Sequence, residues 1–273
     1  MVKKNEKTAE KQKVSSEPVN FKYLYFFLGL ILLLNIFLTI KIFNLEKKLA
    51  PLITQQQPQQ PQPPKQIKIE QVKQLFGKDF IHFGDASKKL LFVEVSDPSC
   101  PFCHIASGTN PQLASEAGDR FKYQSEGGSY IPPVSEIKKL VDQGKASFAF
   151  IYSNGHGNGI LAAQALYCAY EKGKFWETHD KLMTNEGYNL INEQVRNDKT
   201  KIPDLVSFLA DEIDSDFLTK CLESGRYEKS LNRDQKLSPS LGFQGTPHFL
   251  INTEMFQGAY SFSDMKPVIE KYL

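Results

Sequence analysis

An α/β fold is predicted for this chain of 273 residues, with one membrane-spanning helix ahead of it. Three observations carry the prediction. Two apolar runs rich in β-branched and aromatic residues, Leu90–Val95 and Ala146–Tyr152, read as strands. Two further strand signals follow late in the chain, at Pro247–Ile251 and Met255–Ala259. Between the two groups, Gly159–Leu241 places its apolar residues at spacings of three and four and holds no convincing strand. A helical block is therefore inserted between strands of one sheet.

The amino-terminal third is built differently. Residues 1–22 are polar, carry six lysines and lack apolar periodicity, as a disordered cytoplasmic tail would. From Tyr23 to Ile40 run 18 uncharged, mostly apolar residues, with Gly29 and Asn35 as the weak points. At 1.5 Å per residue they span roughly 27 Å of hydrocarbon. The run is longer than the apolar core of a cleaved signal peptide, and no small-x-small site follows it. An uncleaved anchor over residues 23–43 is expected. Six lysines precede it, against Lys41, Lys47 and Lys48 after it. That bias puts the amino terminus in the cytoplasm and the rest on the extracytoplasmic side. Residues 44–66 are expected to be a linker. Its Pro/Gln tract, Pro51–Gln66, cannot build a core and holds the domain of residues 67–273 on the order of 40 Å from the membrane.

Charge excludes one class of partner. With Lys+Arg 33 against Asp+Glu 31, the net charge is +2, and no basic excess points to nucleic acid. The four cysteines are an even set, compatible with an oxidising compartment.

The chemistry concentrates in Leu90–His104, where an apolar run meets turn residues at Ser96–Ser99 and then Cys100-Pro101-Phe102-Cys103-His104. A proline in the first helical turn gives up only an amide hydrogen that would be unpaired there, so Cys100 is expected at the amino end of a helix. Unpaired amides and the positive end of the helix dipole then favour its thiolate, the form that attacks disulfides. We read a redox dithiol, with Cys100 the attacking, exposed sulfur and Cys103 the resolving one. Three rivals fit less well. Cys-x-x-Cys-His also matches a c-type haem attachment with His104 as axial ligand, but no second axial ligand can be picked out. Zinc needs four ligands, and no second pair exists. A purely structural disulfide at so short a spacing would be exposed and reducible. No cofactor and no metal are expected. Glu94 interrupts the strand before the motif. A buried carboxyl there should hold its proton tightly and can serve the second sulfur as proton acceptor.

The remaining elements follow in order. Ile67–Gly77 suits either a short helix or a strand and turn. A helix is expected from Cys100 towards Glu116, then a hairpin or loop insertion over Arg120–Pro133, then a short helix capped by Ser135 and running to Gln143. The glycine-dense loop Asn154–Gly159 carries His156, a candidate substrate-groove residue. Helical spacing marks Ile160–Tyr170, Phe175–Met183, Pro203–Asp211, Phe217–Leu222 and Tyr227–Leu237, with Phe175 and Trp176 as core. Cys168 and Cys221 fall on these helices. They are either buried small hydrophobes or bonded to each other, and an oxidising compartment favours the bond. Gly245-Thr246-Pro247 just ahead of a strand is a candidate cis bond. Ser263–Leu273 closes the chain as an amphipathic helix.

In its order of motifs the chain resembles the DsbA-like thiol-disulfide oxidoreductases of the thioredoxin superfamily. The matching features are Phe92-Val93-Glu94-Val95, Cys100-Pro101-Phe102-Cys103, Gly173-Lys174-Phe175-Trp176-Glu177 with His179-Asp180, Cys221-Leu222-Glu223-Ser224-Gly225, and Gly245-Thr246-Pro247. Together they cover roughly Ile67 to the carboxyl terminus. The resemblance implies a thioredoxin fold with an inserted helical domain at about 159–241. It implies that Thr246 and a cis Pro247 lie against the dithiol and align substrate backbone, that Glu94 is the buried acid, and that Cys168 and Cys221 form a second disulfide. It implies exported thiol proteins as substrates and a membrane redox partner. The expected activity is disulfide formation through the Cys100 and Cys103 pair; the alternatives are a reductase or isomerase of the same fold, since the sequence does not fix the direction, and a non-catalytic binding or assembly module. No dimerisation module is visible, so a monomer is expected. Two departures stand out. Phe102 replaces the histidine of the strongly oxidising pattern and cannot donate a hydrogen bond to the thiolate, and the Arg120–Pro133 region is longer than in the simplest members. Pro101 and His104 flank the site, and His104 is expected to lie against neighbouring structure.

Overall fold

The computed structural model describes residues 21–54 and 67–273. In the first segment, Phe21–Thr54 form helix α1, whose stretch Tyr25–Leu45 has a mean hydropathy of 2.4 and is long and apolar enough to cross a membrane. Its apolar residues run all round the helix, as lipid requires and a one-sided core does not. The side-chain amide of Asn35 donates to the Ile31 carbonyl oxygen at 2.8 Å, which satisfies the polar residue within the helix. The tail up to residue 20 and residues 55–66 of the Pro/Gln tract lie outside the described residues.

The second segment is organised by a five-stranded sheet in the order β1-β3-β2-β4-β5, made of β1 (Ile81–Phe83), β2 (Leu91–Ser96), β3 (Ser147–Tyr152), β4 (His248–Ile251) and β5 (Glu254–Gln257). β2 is the central strand, parallel to β3 and antiparallel to β4, and all six of its residues are buried. Burial on both faces explains the near-continuous apolar run. Leu91, Val93 and Val95 share one face and pack with Val72 of helix α2 (Ile69–Gln74), with Leu75 just past its end, and with Leu241 and Phe243. Phe92, Glu94 and Ser96 share the other, where Phe92 joins the large core formed with the helical block.

That block lies in the chain between β3 and β4: α6 (Ile160–Glu171), α7 (Phe175–Leu182), α8 (Asn185–Asn189) continued by a π-helical turn at Leu190–Val195, α9 (Ile202–Phe208), α10 (Ser215–Glu223) and α11 (Glu228–Ser240). Phe175 seats α7 on the sheet, its ring 5.5 Å from that of Phe150. Cys168 and Cys221 are bonded, with Cα atoms 6.2 Å apart, tying α6 to α10 inside the core.

Several expectations change. Within Ile67–Gly77, left open between a short helix and a strand and turn, the short helix α2 forms over Ile69–Gln74. The single helix expected from Cys100 to Glu116 is two, α3 (Pro101–Ser107) and α4 (Pro111–Glu116). Gly108 ends the first with φ 93°, and the Asn110 side chain caps the second through Leu113 N at 3.0 Å. The insertion contains no hairpin. It winds through 3-10 turns at Asp119–Phe121 and Gln124–Glu126 with a lone bridge from Tyr123 to Tyr130, held because Phe121, Tyr123 and Tyr130 bury themselves against Ile105 and Ala114. Ser135 is no cap. Helix α5 (Pro133–Asp142) starts two residues earlier, on Pro133, and the Ser135 hydroxyl donates to the Pro132 carbonyl oxygen at 3.2 Å. Helix α12 (Phe262–Ile269) is shorter than the expected Ser263–Leu273 at its carboxyl end.

Candidate active site

The end of β2 delivers the motif. After Ser96 the chain turns through Asp97-Pro98-Ser99, with Cys100 N donating to the Asp97 carbonyl oxygen at 2.9 Å, and Cys100 becomes the residue before the first turn of α3. Its backbone is extended (φ −82°, ψ 124°), and Pro101 occupies the first helical position. Cys103 lies one turn on, wholly buried, its sulfur accepting from Asp97 N at 3.4 Å. The expected strand, turn and helix start is present. The expected exposure of Cys100 is not: the residue is only 4% accessible. The loop before β4 covers it, and its thiol donates to the Thr246 carbonyl oxygen at 3.3 Å. The Thr246–Pro247 bond is cis, and Pro247 is buried.

The two sulfurs are driven apart in acidity. Cys100 falls from 9.0 to about 6, first because the Cys103 thiol donates to it, then through the Thr246 hydroxyl and the amides of Cys103 and Phe102, all against the cost of burial. The Thr246 hydroxyl has no hydrogen-bond partner in the dithiol, so it is a donor whose natural acceptor is the ionised sulfur. Cys103 is raised well above 9.0, by burial first and then by the neighbouring Cys100. One sulfur is therefore a nucleophile or leaving group near neutral pH, and its partner holds a proton. Phe102 between them is 42% exposed, its ring 5.4 Å from that of Phe121 in the insertion.

Glu94 lies on the sheet face that carries the helical block, fully buried and flanked by Phe150 and Phe249 on the neighbouring strands. Neither carboxyl oxygen has a hydrogen-bond partner. Burial pushes its carboxyl up, with His179 of α7 and the Ser96 hydroxyl pulling the other way. The Ser96 hydroxyl also bears on the Cys103 thiol, pulling it down. The Ser96 hydroxyl itself is buried and makes no hydrogen bond. His104 is turned away from the sulfurs. It is fully buried, its ring nitrogens 2.8 Å from the Pro98 oxygen and 3.0 Å from the Met183 oxygen, and burial lowers it to about 4. With both nitrogens against carbonyls it joins the turn to the helical block. His156 lies on the surface loop, exposed, and enters the site through its backbone amide only.

Two neighbours were missed by sequence reasoning. Tyr188 on α8 stacks edge-on against His104 at 5.0 Å, and its phenol is raised first by burial and then by the Cys100 charge. Only tertiary packing brings it there. Asp97 reads in the sequence as a turn residue, and the signal that singles it out is an acidic residue directly after a buried strand and three before the cysteine. Among the described residues no group of three or more His, Cys, Asp or Glu side chains is disposed to hold a metal ion.

Comparison with known proteins places the fold in a family. The thioredoxin family model matches residues 134–271, from α5 through the helical block to α12, and the dithiol precedes the matched segment. Disulfide bond formation protein D of Bacillus subtilis (strain 168) is 25% identical over 196 residues, covering 70% of this chain and 75% of that protein. Among solved structures, oxidised BdbD from Bacillus subtilis superposes with a TM-score of 0.53 at 19% identity, over 71% of this chain and 93% of that one. Wolbachia pipientis alpha-DsbA1 gives 0.54 at 16% identity, over 74% and 95%. Chlamydia trachomatis DsbA gives 0.51 at 19%, over 78% and 96%. The chain belongs to the thioredoxin family, as a DsbA-like thiol-disulfide oxidoreductase.

Proposed function

We propose that the chain is a membrane-anchored oxidase that forms disulfides in exported proteins through Cys100 and Cys103. The observation that carries the reading is the split acidity of the pair, with Cys100 at about 6 and Cys103 well above 9.0. At pH 7 a thiol of pKa about 6 is ionised by roughly ten to one. Stabilising that thiolate stabilises the reduced enzyme, which makes its disulfide the stronger oxidant.

The cycle starts with a bond between Cys100 and Cys103. A substrate thiolate attacks the Cys100 sulfur, the enzyme disulfide breaks, and Cys103 departs with the electron pair. A buried sulfur cannot hold that charge, so it takes a proton, and we assign its supply to Glu94, the buried acid on the strand that leads into the motif, kept protonated by burial. A second substrate thiolate then attacks the substrate sulfur in the mixed disulfide, forming the product bond and expelling Cys100 as the thiolate that its donors hold. Two electrons have passed to the enzyme, and a membrane redox partner must remove them, with Glu94 taking the Cys103 proton back. Thr246 and Pro247 align the substrate backbone, and exposed Phe102 gives it an apolar contact. Helix α1 would keep the domain at the membrane, on its extracytoplasmic side.

The test is the reduction potential of the Cys100 and Cys103 pair, with trapping of substrates by Cys103→Ser. A potential well above the roughly −270 mV of a reducing thioredoxin, with mixed disulfides held at Cys100, is the expected result. A value at or below that level would make the enzyme a reductase.

A further inference from the structure

Asp97 is fully buried, and its side chain accepts four hydrogen bonds that run in two directions. One carboxylate oxygen takes Ser99 N at 2.8 Å and the Ser99 hydroxyl at 2.7 Å, closing the turn that leads to Cys100. The other takes Gly155 N at 2.9 Å and His156 N at 2.8 Å, from the glycine-dense loop after β3. That loop is pressed against the site: a Cβ added at Gly155 would collide with the Thr246 hydroxyl, and one added at Gly159 with the Asp97 carboxylate itself. Neither glycine has a left-handed φ, so both are required for space. The Asp97 backbone meanwhile reaches both sulfur-bearing residues, its oxygen accepting from Cys100 N and its amide donating to the Cys103 sulfur.

We propose that Asp97 is a positioning residue for the dithiol: by pinning the Gly155–His156 backbone it confines the Thr246 hydroxyl against the Cys100 sulfur. The proposal rests on the reading of Cys100 as the exchanging sulfur. It assigns the glycine-dense loop a task, since the loop is the wall behind Thr246 and the carboxylate is what holds the wall in place. A threonine free to change rotamer would turn its hydroxyl to water and leave the thiolate one donor short. The titratable groups around the Cys100 sulfur are Cys103 on its own helix and Tyr188 from the helical block, with Asp97 in the turn beneath.

The sign of one measurement separates position from charge. In the full-length chain, the Cys100 titration is followed by the pH dependence of its alkylation by iodoacetamide. In Asp97→Asn one acceptor oxygen becomes an amide nitrogen that accepts nothing, so the bridge between the Ser99 turn and the Gly155–His156 loop is broken whichever way the amide lies. The expected result is a rise of about one unit in the Cys100 pKa, or about tenfold slower alkylation below it. If Asp97 acted through its charge alone, the same substitution would remove a nearby anion and the pKa would fall. A fall or no change overturns the proposal. Should Asp97→Asn fail to fold, Gly155→Ala decides: it should raise the Cys100 pKa with Thr246 present and have no further effect in a Thr246→Val background. An equal rise in both backgrounds overturns the relay through the hydroxyl. A parent chain whose Cys100 titrates at or above 9.0 removes instead the reading of the exchanging sulfur, and this proposal with it.

Discussion

Cys100 and Cys103 stand where a strand hands over to a helix, three residues apart in the chain, whereas Cys168 and Cys221 stand on two helices 53 residues apart. Both pairs are buried, so burial is not what distinguishes them. The first is surrounded by groups that respond to charge: the Thr246 hydroxyl and carbonyl, the Asp97 amide and the amides that open α3. The second sits among apolar neighbours in the main core, with Ala165, Leu166, Leu218 and Leu222 on the same two helices. A sulfur that must leave as a thiolate needs donors waiting for it, and a sulfur that must never leave is best denied them. Closure of a long loop adds a second difference, because the entropy removed from the unfolded chain grows with the number of residues enclosed.

The largest effect that would sharpen the contrast comes from the helical pair. Replacing Cys168 and Cys221 by alanine removes a crosslink worth on the order of 4 kcal/mol for a loop of this length. We expect a loss of that size in denaturant unfolding, while the alkylation pKa of Cys100 stays at about 6. If the Cys100 titration moves with the loss of the distant bond, the two pairs are not independent and the contrast fails.

Glu94→Gln should pull stability and function in opposite directions. The folded-state carboxyl is raised above 4.5 by burial. From pH 4.5 upward the unfolded chain gives up this proton while the folded chain keeps it, so the folded state binds more protons and stability declines until the folded value is reached. Glutamine removes that decline, and the variant is expected to be the more stable at neutral pH, judged by Tm. It also removes the proton that Cys103 takes on departure, so reduction of the enzyme disulfide by substrate thiols should slow and lose part of its pH dependence. Unchanged exchange kinetics would leave Glu94 a buried acid with no part in the redox pair.

Much of this site was legible in the sequence because it is local. Strand, turn, proline and cysteines are contiguous from Leu91 to Cys103, and each signal depends on its immediate neighbours. Thr246, with Pro247 after it, lies 146 residues from Cys100, but the pair carries a turn-and-strand signal of its own. What was not legible is set by packing at a distance. β1 is three residues long, too short for a period to show, and becomes a strand only by pairing with β3. Tyr188 sits before a π-helical turn that no apolar spacing announces. The 4% exposure of Cys100 depends on a loop that comes from the other end of the domain. Asp97 falls between: the residue type was visible, but its acceptors' partners, Gly155 and His156, were not assignable without the fold.

Phe102→His is the smallest of the expected effects and the most direct on the dithiol. The side chain leaves the second helical position 42% exposed and carries no hydrogen-bond donor for the Cys100 thiolate. A histidine there adds one donor. A hydrogen bond to a charged group contributes about 1.5–3 kcal/mol where water is excluded, and half-exposure cuts that to well under half. The Cys100 pKa should then fall by about half a unit to one unit, and the potential rise by roughly 15–30 mV, since one unit is 1.36 kcal/mol and 30 mV is about 1.4 kcal/mol. The substitution also gives up the contact with Phe121, which would loosen the insertion and show as a weaker hold on apolar substrate peptides. A potential that rises without any change in the Cys100 titration would mean that the residue between the cysteines acts through the oxidised form, not through the thiolate, and would reverse the account of why the first sulfur is acidic.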